Sequence, residues 1–84
     1  MKIPQLKRCY LIVEILNDLQ PHKTKHIQAK INKKMDANYC KSQIEKDIYW
    51  LKWNMDMDEY KASGEGIQLL EKLDFFERLK NYLQ

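Results

Sequence analysis

Apolar residues recur at helical spacing along most of this chain. The spacing and its turn residues predict helices from Pro4 to about Leu19, from Thr24 to about Lys34, and over about 39–54. In the first helix the apolar residues spread well beyond the single face that a small helical domain buries. We therefore expect this helix to be covered on two sides, by the C-terminal helix, by another chain or by both.

The second and third helices are predicted to form a pair joined by a short polar turn. In the second helix, Ile27, Ala29 and Ile31 are expected to face inward, and Thr24 is its predicted N-cap. Asn38 or Cys40 precedes the third helix, and Asn38 is the better cap chemically. Two helices arranged in this way are typical of a helix-turn-helix.

The third helix has two unlike faces on a helical wheel. One side carries the aliphatic residues Ile44, Ile48 and Leu51, with Cys40 nearby. The other side carries polar and aromatic residues: Ser42, Lys46, Tyr49 and Trp53. We expect Tyr49 and Trp53 to pack beneath a neighbouring element, because large aromatic side chains dominate burial in small domains. Asp47 is expected to make a local hydrogen bond or ion pair.

A two-stranded hairpin and a last helix are predicted after residue 54. Residues 57–61 and 67–70 flank a turn that contains two glycines, which predicts two short strands. Asp74 lies just before or within a final helix, whose broad apolar face holds Phe75, Phe76, Leu79, Tyr82 and Leu83. The predicted fold is therefore mainly α with a small β-hairpin.

Positive charge is concentrated in the first part of the chain. The formal net charge is +3, but residues 1–54 hold eleven Lys/Arg against five Asp/Glu, whereas residues 55–84 hold four against seven. Within 22–46 there are seven lysines and two acidic residues. Such a segment is suited to attract phosphate, although a solvated lysine-rich face has the same composition.

Other classes of function have little support in the sequence. Cys9 and Cys40 are expected to be small buried residues in a reducing cytoplasm. His22 and His26 lack a third ligand at suitable spacing, so we expect no metal site, and no cofactor is expected. The sequence has no phosphate-binding loop or nucleophile–base motif, which argues against an enzyme. No apolar run reaches the length of a membrane span, and we expect a cytoplasmic protein.

Residues 44–51, Ile-Glu-Lys-Asp-Ile-Tyr-Trp-Leu, resemble the T-I-x-R-D-I-x-x-L run in the N-terminal domain of WYL-domain transcriptional regulators. The strands at 57–60 and 66–70 are similar to the wing of that domain, so the resemblance covers residues 5–71. It implies a winged helix-turn-helix with a three-helix core, a two-stranded wing and a C-terminal helix. This sequence departs from the family at three positions, with Gln43 for Thr, Lys46 for Arg and Ile67 for Tyr.

The resemblance implies sequence-specific binding of double-stranded DNA by a transcriptional regulator that is usually dimeric. Residues 1–71 would form the DNA-binding domain, and residues 72–84 a linker or dimerisation helix. In the family a ligand-sensing domain follows the wing, and this chain is either a fragment of such a regulator or a stand-alone domain. The third helix would enter the major groove. The predicted DNA-binding residues are Lys23, Lys25, Lys41, Ser42, Gln43, Lys46, Lys61 and Ser63.

An alternative hypothesis is a winged helix that binds protein. In that interpretation the apolar faces of the first and last helices form the functional surface, and the lysines only keep the chain in solution. The same two faces are the expected route to a homodimer.

Overall fold

The structure, a computed structural model, describes residues 2–62, 64 and 66–84. The described residues form a mainly helical fold with a small antiparallel sheet. In chain order the elements are α1 (Ile3–Leu16), β1 (His22–Lys23), α2 (Thr24–Met35), α3 (Lys41–Asn54), β2 (Glu59–Lys61), β3 (Gly66–Leu69) and α4 (Phe75–Leu83).

The predicted helix ends differ from the observed ones mainly at α1 and at the N-caps. Helix α1 ends at Leu16, and Leu19 has a φ of 62°, a left-handed conformation that cannot continue a helix. Thr24 is the first residue of α2, and the cap position is Lys23. The cap of α3 is Cys40, not Asn38. Lys23 cannot cap α2 with its side chain, because an ammonium group has no acceptor for a backbone N–H. The Cys40 thiol, a weak acceptor, lies 3.1 Å from the Ser42 hydroxyl.

The sheet has three strands where the sequence predicts two. Its order is β1-β3-β2, with all pairs antiparallel, and His22 pairs with Ile67 while Tyr60 pairs with Gln68. The segment after Pro21, expected to be only a turn, instead runs extended along the free edge of β3. Its backbone groups thereby form hydrogen bonds with β3, whereas in a lone turn they would bond to water.

The core lies between the first three helices and one face of the sheet. Its fully buried side chains include Ile12, Leu16, Ile27, Ile31, Ile44 and Leu51. Ala29 is exposed, contrary to expectation, because it lies about 200° around α2 from Ile27. The face of α2 that holds Ile27 and Ile31, one turn apart, is the face that packs inward.

The wide apolar surface of α1 is covered by elements of the same chain. Helix α1 contacts α2, α3 and β3. Five of its apolar residues are buried in the core: Cys9, Leu11, Ile12, Val13 and Leu16. The Tyr10 ring meets the rings of Phe75 and Phe76 from α4, with centroids 5.7 and 5.2 Å away. The C-terminal helix α4 therefore covers part of α1, as we expect from the first of the three arrangements given above.

Helix α4 is attached through its first residues, through Leu79, which packs against the core, and through the contact of Tyr82 with Trp50. Asp74 caps the helix by accepting a hydrogen bond from the Glu77 N–H. The side chain of Asn17 makes two hydrogen bonds to the backbone of Leu73, at 2.9 Å each. Of the predicted apolar face only Phe75 is fully buried, whereas Phe76, Tyr82 and Leu83 remain exposed.

Candidate nucleic-acid interface

Side chains of α2 fix the turn that leads into α3. Asn32 accepts a hydrogen bond from the Tyr39 N–H at 2.7 Å and donates one to the Tyr39 carbonyl at 3.0 Å. Gln28 donates a second hydrogen bond to the same carbonyl. Asp36, at the end of α2, has a φ of 49°, which turns the chain sharply. These contacts set the direction in which α3 leaves α2.

A buried ion pair then fixes α3 against α1. The Arg8 Nε lies 2.6 Å from Asp47 Oδ2, and Arg8 Nη2 donates to Asp47 Oδ1 at 3.3 Å. The side chains are only 9% and 3% exposed. The hydrogen bond that Arg8 donates to Asp47 raises the pKa of Arg8 above its ordinary value, so the guanidinium stays charged. The Arg8 guanidinium also lies 4.5 Å from the centre of the Tyr39 ring.

The ion pair confirms one expectation for Asp47 and corrects another. Asp47 does make an ion pair, but its partner is 39 residues away along the chain and not local. Removing one member of a buried ion pair destabilises a fold, because the other charge is left buried without a partner. Its place between α1 and α3 makes it a determinant of how α3 is presented.

The inner face of α3 is buried and its outer face is open to solvent. The inner face consists of Ile44, Asp47, Ile48 and Leu51, as the helical wheel predicts for the three aliphatic residues. We define the outer face as Ser42, Glu45, Lys46, Tyr49 and Trp53, all of which are exposed. The first turn of the helix, with Lys41 and Gln43, is also exposed.

The expected packing of Tyr49 and Trp53 beneath a neighbouring element is wrong for both residues. Tyr49 is 64% exposed and Trp53 65% exposed, and their rings contact each other at a centroid distance of 5.9 Å. Trp50 instead packs against Tyr82 of α4, at 5.2 Å. The α4 helix reaches only the side of α3 that carries Trp50, so nothing in the described chain covers the ridge formed by Tyr49 and Trp53.

A groove of about 510 Å³ runs between the start of α2, one side of α3 and the sheet. We call it the lysine groove because five lysines line it: Lys23, Lys25, Lys41, Lys52 and Lys61. Glu45 and Glu59 line it as well, and Lys52 forms a salt bridge with Glu59 at 3.4 Å. The lining thus has three more cations than anions, gathered from four separate elements of the chain.

The seven predicted site residues that the structure describes fall into three groups. Lys23, Lys25, Lys41 and Lys61 meet in the lysine groove. Ser42 and Gln43 lie exposed beside it, in the first turn of α3. Lys46 faces away from the lysine groove, into a second groove of about 580 Å³ that we call the aromatic groove; its lining is Gln5, Glu45, Lys46, Tyr49, Trp50, Trp53 and Asn54. Ser63 lies outside the described residues.

The predicted DNA contacts do not include three charged residues of the lysine groove: Glu45, Lys52 and Glu59. The spacing of Glu45 and Lys52 from Lys41 indicates that they share a face, because residues 41, 45, 48 and 52 form one stripe along a helix. Tyr49 borders both grooves. The helical wheel predicts its outward position but not its exposure.

The two cysteines have opposite surroundings. Cys9 is fully buried as expected, and burial raises the pKa of its thiol to about 12. Cys40 is exposed, contrary to expectation, because it lies at the N-cap of α3, outside the helix contacts. Its Sγ lies 3.1 Å from Ser42 Oγ, and this hydrogen bond, followed by one to the Gln43 backbone, lowers the pKa of the Cys40 thiol.

The two histidines lie in different surroundings. His22 Nε2 lies 2.9 Å from both carboxylate oxygens of Asp18, while His26 is exposed on α2. Within 2–62, 64 and 66–84, no three His, Cys, Asp or Glu side chains cluster as metal ligands would. Among the same residues no helix has both the length and the apolar character that crossing a bilayer requires.

No protein-family model, curated protein or solved structure matches this chain.

Proposed function

We propose that this chain is a winged helix-turn-helix module that binds double-stranded DNA within a transcriptional regulator. Helices α2 and α3 would form the helix-turn-helix, and β2 and β3 would form the wing, with β1 joined to its inner edge. The first turn and outer face of α3 would enter the major groove. The resemblance of residues 44–51 to WYL-domain regulators favours the same assignment.

The observation that carries the proposal is the convergence of lysines on the lysine groove. Lys23 comes from β1, Lys25 from α2, Lys41 from α3 and Lys61 from β2. Lysines scattered for solubility alone have no reason to meet beside the exposed first turn of one helix. A duplex carries two rows of closely spaced phosphates, and such a cluster suits one of those rows.

The roles of the residues follow from their positions. Lys23 and Lys25, at the N-terminus of α2, would hold backbone phosphates together with the positive end of the helix dipole. Lys61 would hold a phosphate on the wing side. Ser42, Gln43 and Lys46 would meet base edges or nearby phosphates, since a helix fits the major groove with its N-terminal turn toward the bases.

Salt dependence of duplex binding tests the proposal. Affinity for a labelled duplex of mixed sequence should fall steeply with salt, because each lysine–phosphate contact releases counterions. Lys25→Ala and Lys41→Ala should each lower the slope of log K against log salt by about 0.9. Lys80→Ala is the matched control: it removes the same charge from α4, outside both grooves, and should leave the slope unchanged.

Two results would contradict the proposal. One is the absence of measurable duplex binding at low salt. The other is an equal loss of slope in Lys80→Ala, since attraction would then depend on net charge and not on the lysine groove.

A second candidate function is protein binding through α4. Phe76 and Leu83, two turns apart on one side of α4, are 64% and 73% exposed, and Tyr82 is 44% exposed. Exposed apolar residues on one helix face are typical of an interaction surface. This candidate predicts concentration-dependent sedimentation of the wild-type chain, which Phe76→Ser with Leu83→Ser would abolish without changing duplex binding.

A further inference from the structure

We propose that Tyr49 reads thymine in the major groove, by packing its ring against the 5-methyl group of that base. This inference rests on the proposed function and goes beyond it, because it names a base and the residue that would select it. Tyr49 is not among the DNA contacts that the sequence predicts.

The ring of Tyr49 stands out from the protein where a duplex would lie. It belongs to the outer face of α3 with Ser42 and Lys46, and it is 64% exposed. Its described aromatic neighbour is Trp53, itself 65% exposed, so the ring rests on a second surface residue and not on the core. It also borders both the lysine groove and the aromatic groove. A ligand placed across α3 therefore has to meet it.

The position of Tyr49 along α3 fits the width of the major groove. At a rise of about 1.5 Å per residue, Tyr49 lies roughly 10 Å beyond Ser42 along the helix axis. The major groove is about 12 Å wide, so both residues fit within it. Trp53 lies about one turn further from the N-terminus and is better placed to support Tyr49, or to meet the sugar–phosphate wall, than to reach a base.

The chemistry of the groove selects thymine for this residue. Among the groups on the major-groove edges of the bases, the thymine 5-methyl is apolar, and the others are hydrogen-bond donors and acceptors. The neighbours of Tyr49 suit the hydrogen-bonding groups of the other bases, since Glu45 can accept a hydrogen bond from cytosine and Lys46 can donate one to guanine. An aromatic ring gains little from phosphates but gains burial against a methyl group.

Stacking on an unpaired base is the rival use of exposed aromatic residues. The planes of Tyr49 and Trp53 are inclined by 52°, so a flat base lying on one ring cannot lie flat on the other. The pair is therefore a poor stacking platform. A compact methyl group has no such requirement for parallel planes.

The test removes one methyl group from the DNA. Duplexes selected by the full chain from a randomised pool should share a thymine at a fixed position. Replacing that thymine by uracil should weaken wild-type binding roughly fourfold, the effect of burying about one methyl group. Tyr49→Ala should bind the thymine duplex more weakly and show no further loss with uracil, whereas Tyr49→Phe should keep the uracil penalty.

Phe76→Ala is the control variant, because Phe76 has the same 64% exposure but lies on α4. It should bind both duplexes as the wild type does. An undiminished uracil penalty in Tyr49→Ala, or the absence of any fixed thymine, would overturn this inference while leaving salt-dependent duplex binding intact. Preferential loss of single-strand binding in Tyr49→Ala would overturn it in favour of stacking. A chain that binds no duplex would overturn the inference and the proposed function together.

Discussion

The two faces of α3 differ in what holds their side chains. The inner face is fixed by aliphatic packing and by the Arg8–Asp47 ion pair, whose two side chains are almost completely removed from solvent. The outer face has five exposed residues, and its aromatic pair contacts only itself among the described rings. One helix thus separates the residues that stabilise the fold from those available to a partner.

This separation has a consequence for mutagenesis. Substitutions on the inner face should change the free energy of unfolding, whereas those on the outer face should change binding and leave stability alone. The same helix therefore supplies both the test and its control.

Loss of Asp47 should have the largest effect on stability. Asp47→Ala leaves the Arg8 guanidinium charged and buried without its carboxylate, at a cost of about 3–5 kcal/mol. Such a loss is a large part of the roughly 5–15 kcal/mol that holds a typical domain together. Urea denaturation followed by circular dichroism measures it. A loss below about 1 kcal/mol, the range of surface ion pairs, would mean that water screens the pair.

Neighbouring residues 48 and 49 should behave oppositely. Ile48→Ala removes a buried aliphatic side chain and should cost roughly 2–5 kcal/mol. Tyr49→Ala removes an exposed ring and should change stability by no more than about 0.5 kcal/mol. The same denaturation experiment compares them. If Tyr49→Ala destabilises the chain as much as Ile48→Ala, the outer face is part of the fold and not a surface for a partner.

The two cysteines should differ in reactivity in the folded chain. The lowered pKa of Cys40 gives it a larger thiolate fraction at neutral pH than an ordinary cysteine, so iodoacetamide should modify it quickly. Cys9, with a pKa near 12, stays protonated and buried and should react only on unfolding. Mass spectrometry of Cys40→Ser and Cys9→Ser variants assigns each rate. Equal modification rates for the two thiols in the folded chain would contradict the exposure of Cys40 and the burial of Cys9.

Periodicity alone predicts the helices and most of the core. Ile27 and Ile31, or Ile44, Ile48 and Leu51, are recognisable because residues one turn apart share a face. A two-residue strand such as β1 has no period to detect, and its partner β3 lies far along the chain. Pairing of this kind depends on the tertiary arrangement, and the sequence of neither segment predicts it.

Parts of the candidate site also depend on contacts that the sequence does not show. The lysine-rich segment is evident from composition, but the meeting of Lys61 with Lys23 needs the sheet to form. Arg8 and Asp47 are each ordinary in their own segment, and only the crossing of α1 and α3 brings them together. The exposure of Tyr49 depends on where α4 packs, and α4 covers Trp50 instead.

Mapping the bound surface residue by residue tests the central claim most directly. On titration of the full chain with a selected duplex, amide chemical-shift changes should concentrate at 23–25, at 41–49 and around Lys61. The amides of 75–83 in α4 should change little. Changes centred on α4, with residues 41–49 unaffected, would contradict the assignment of α3 as the DNA-binding helix.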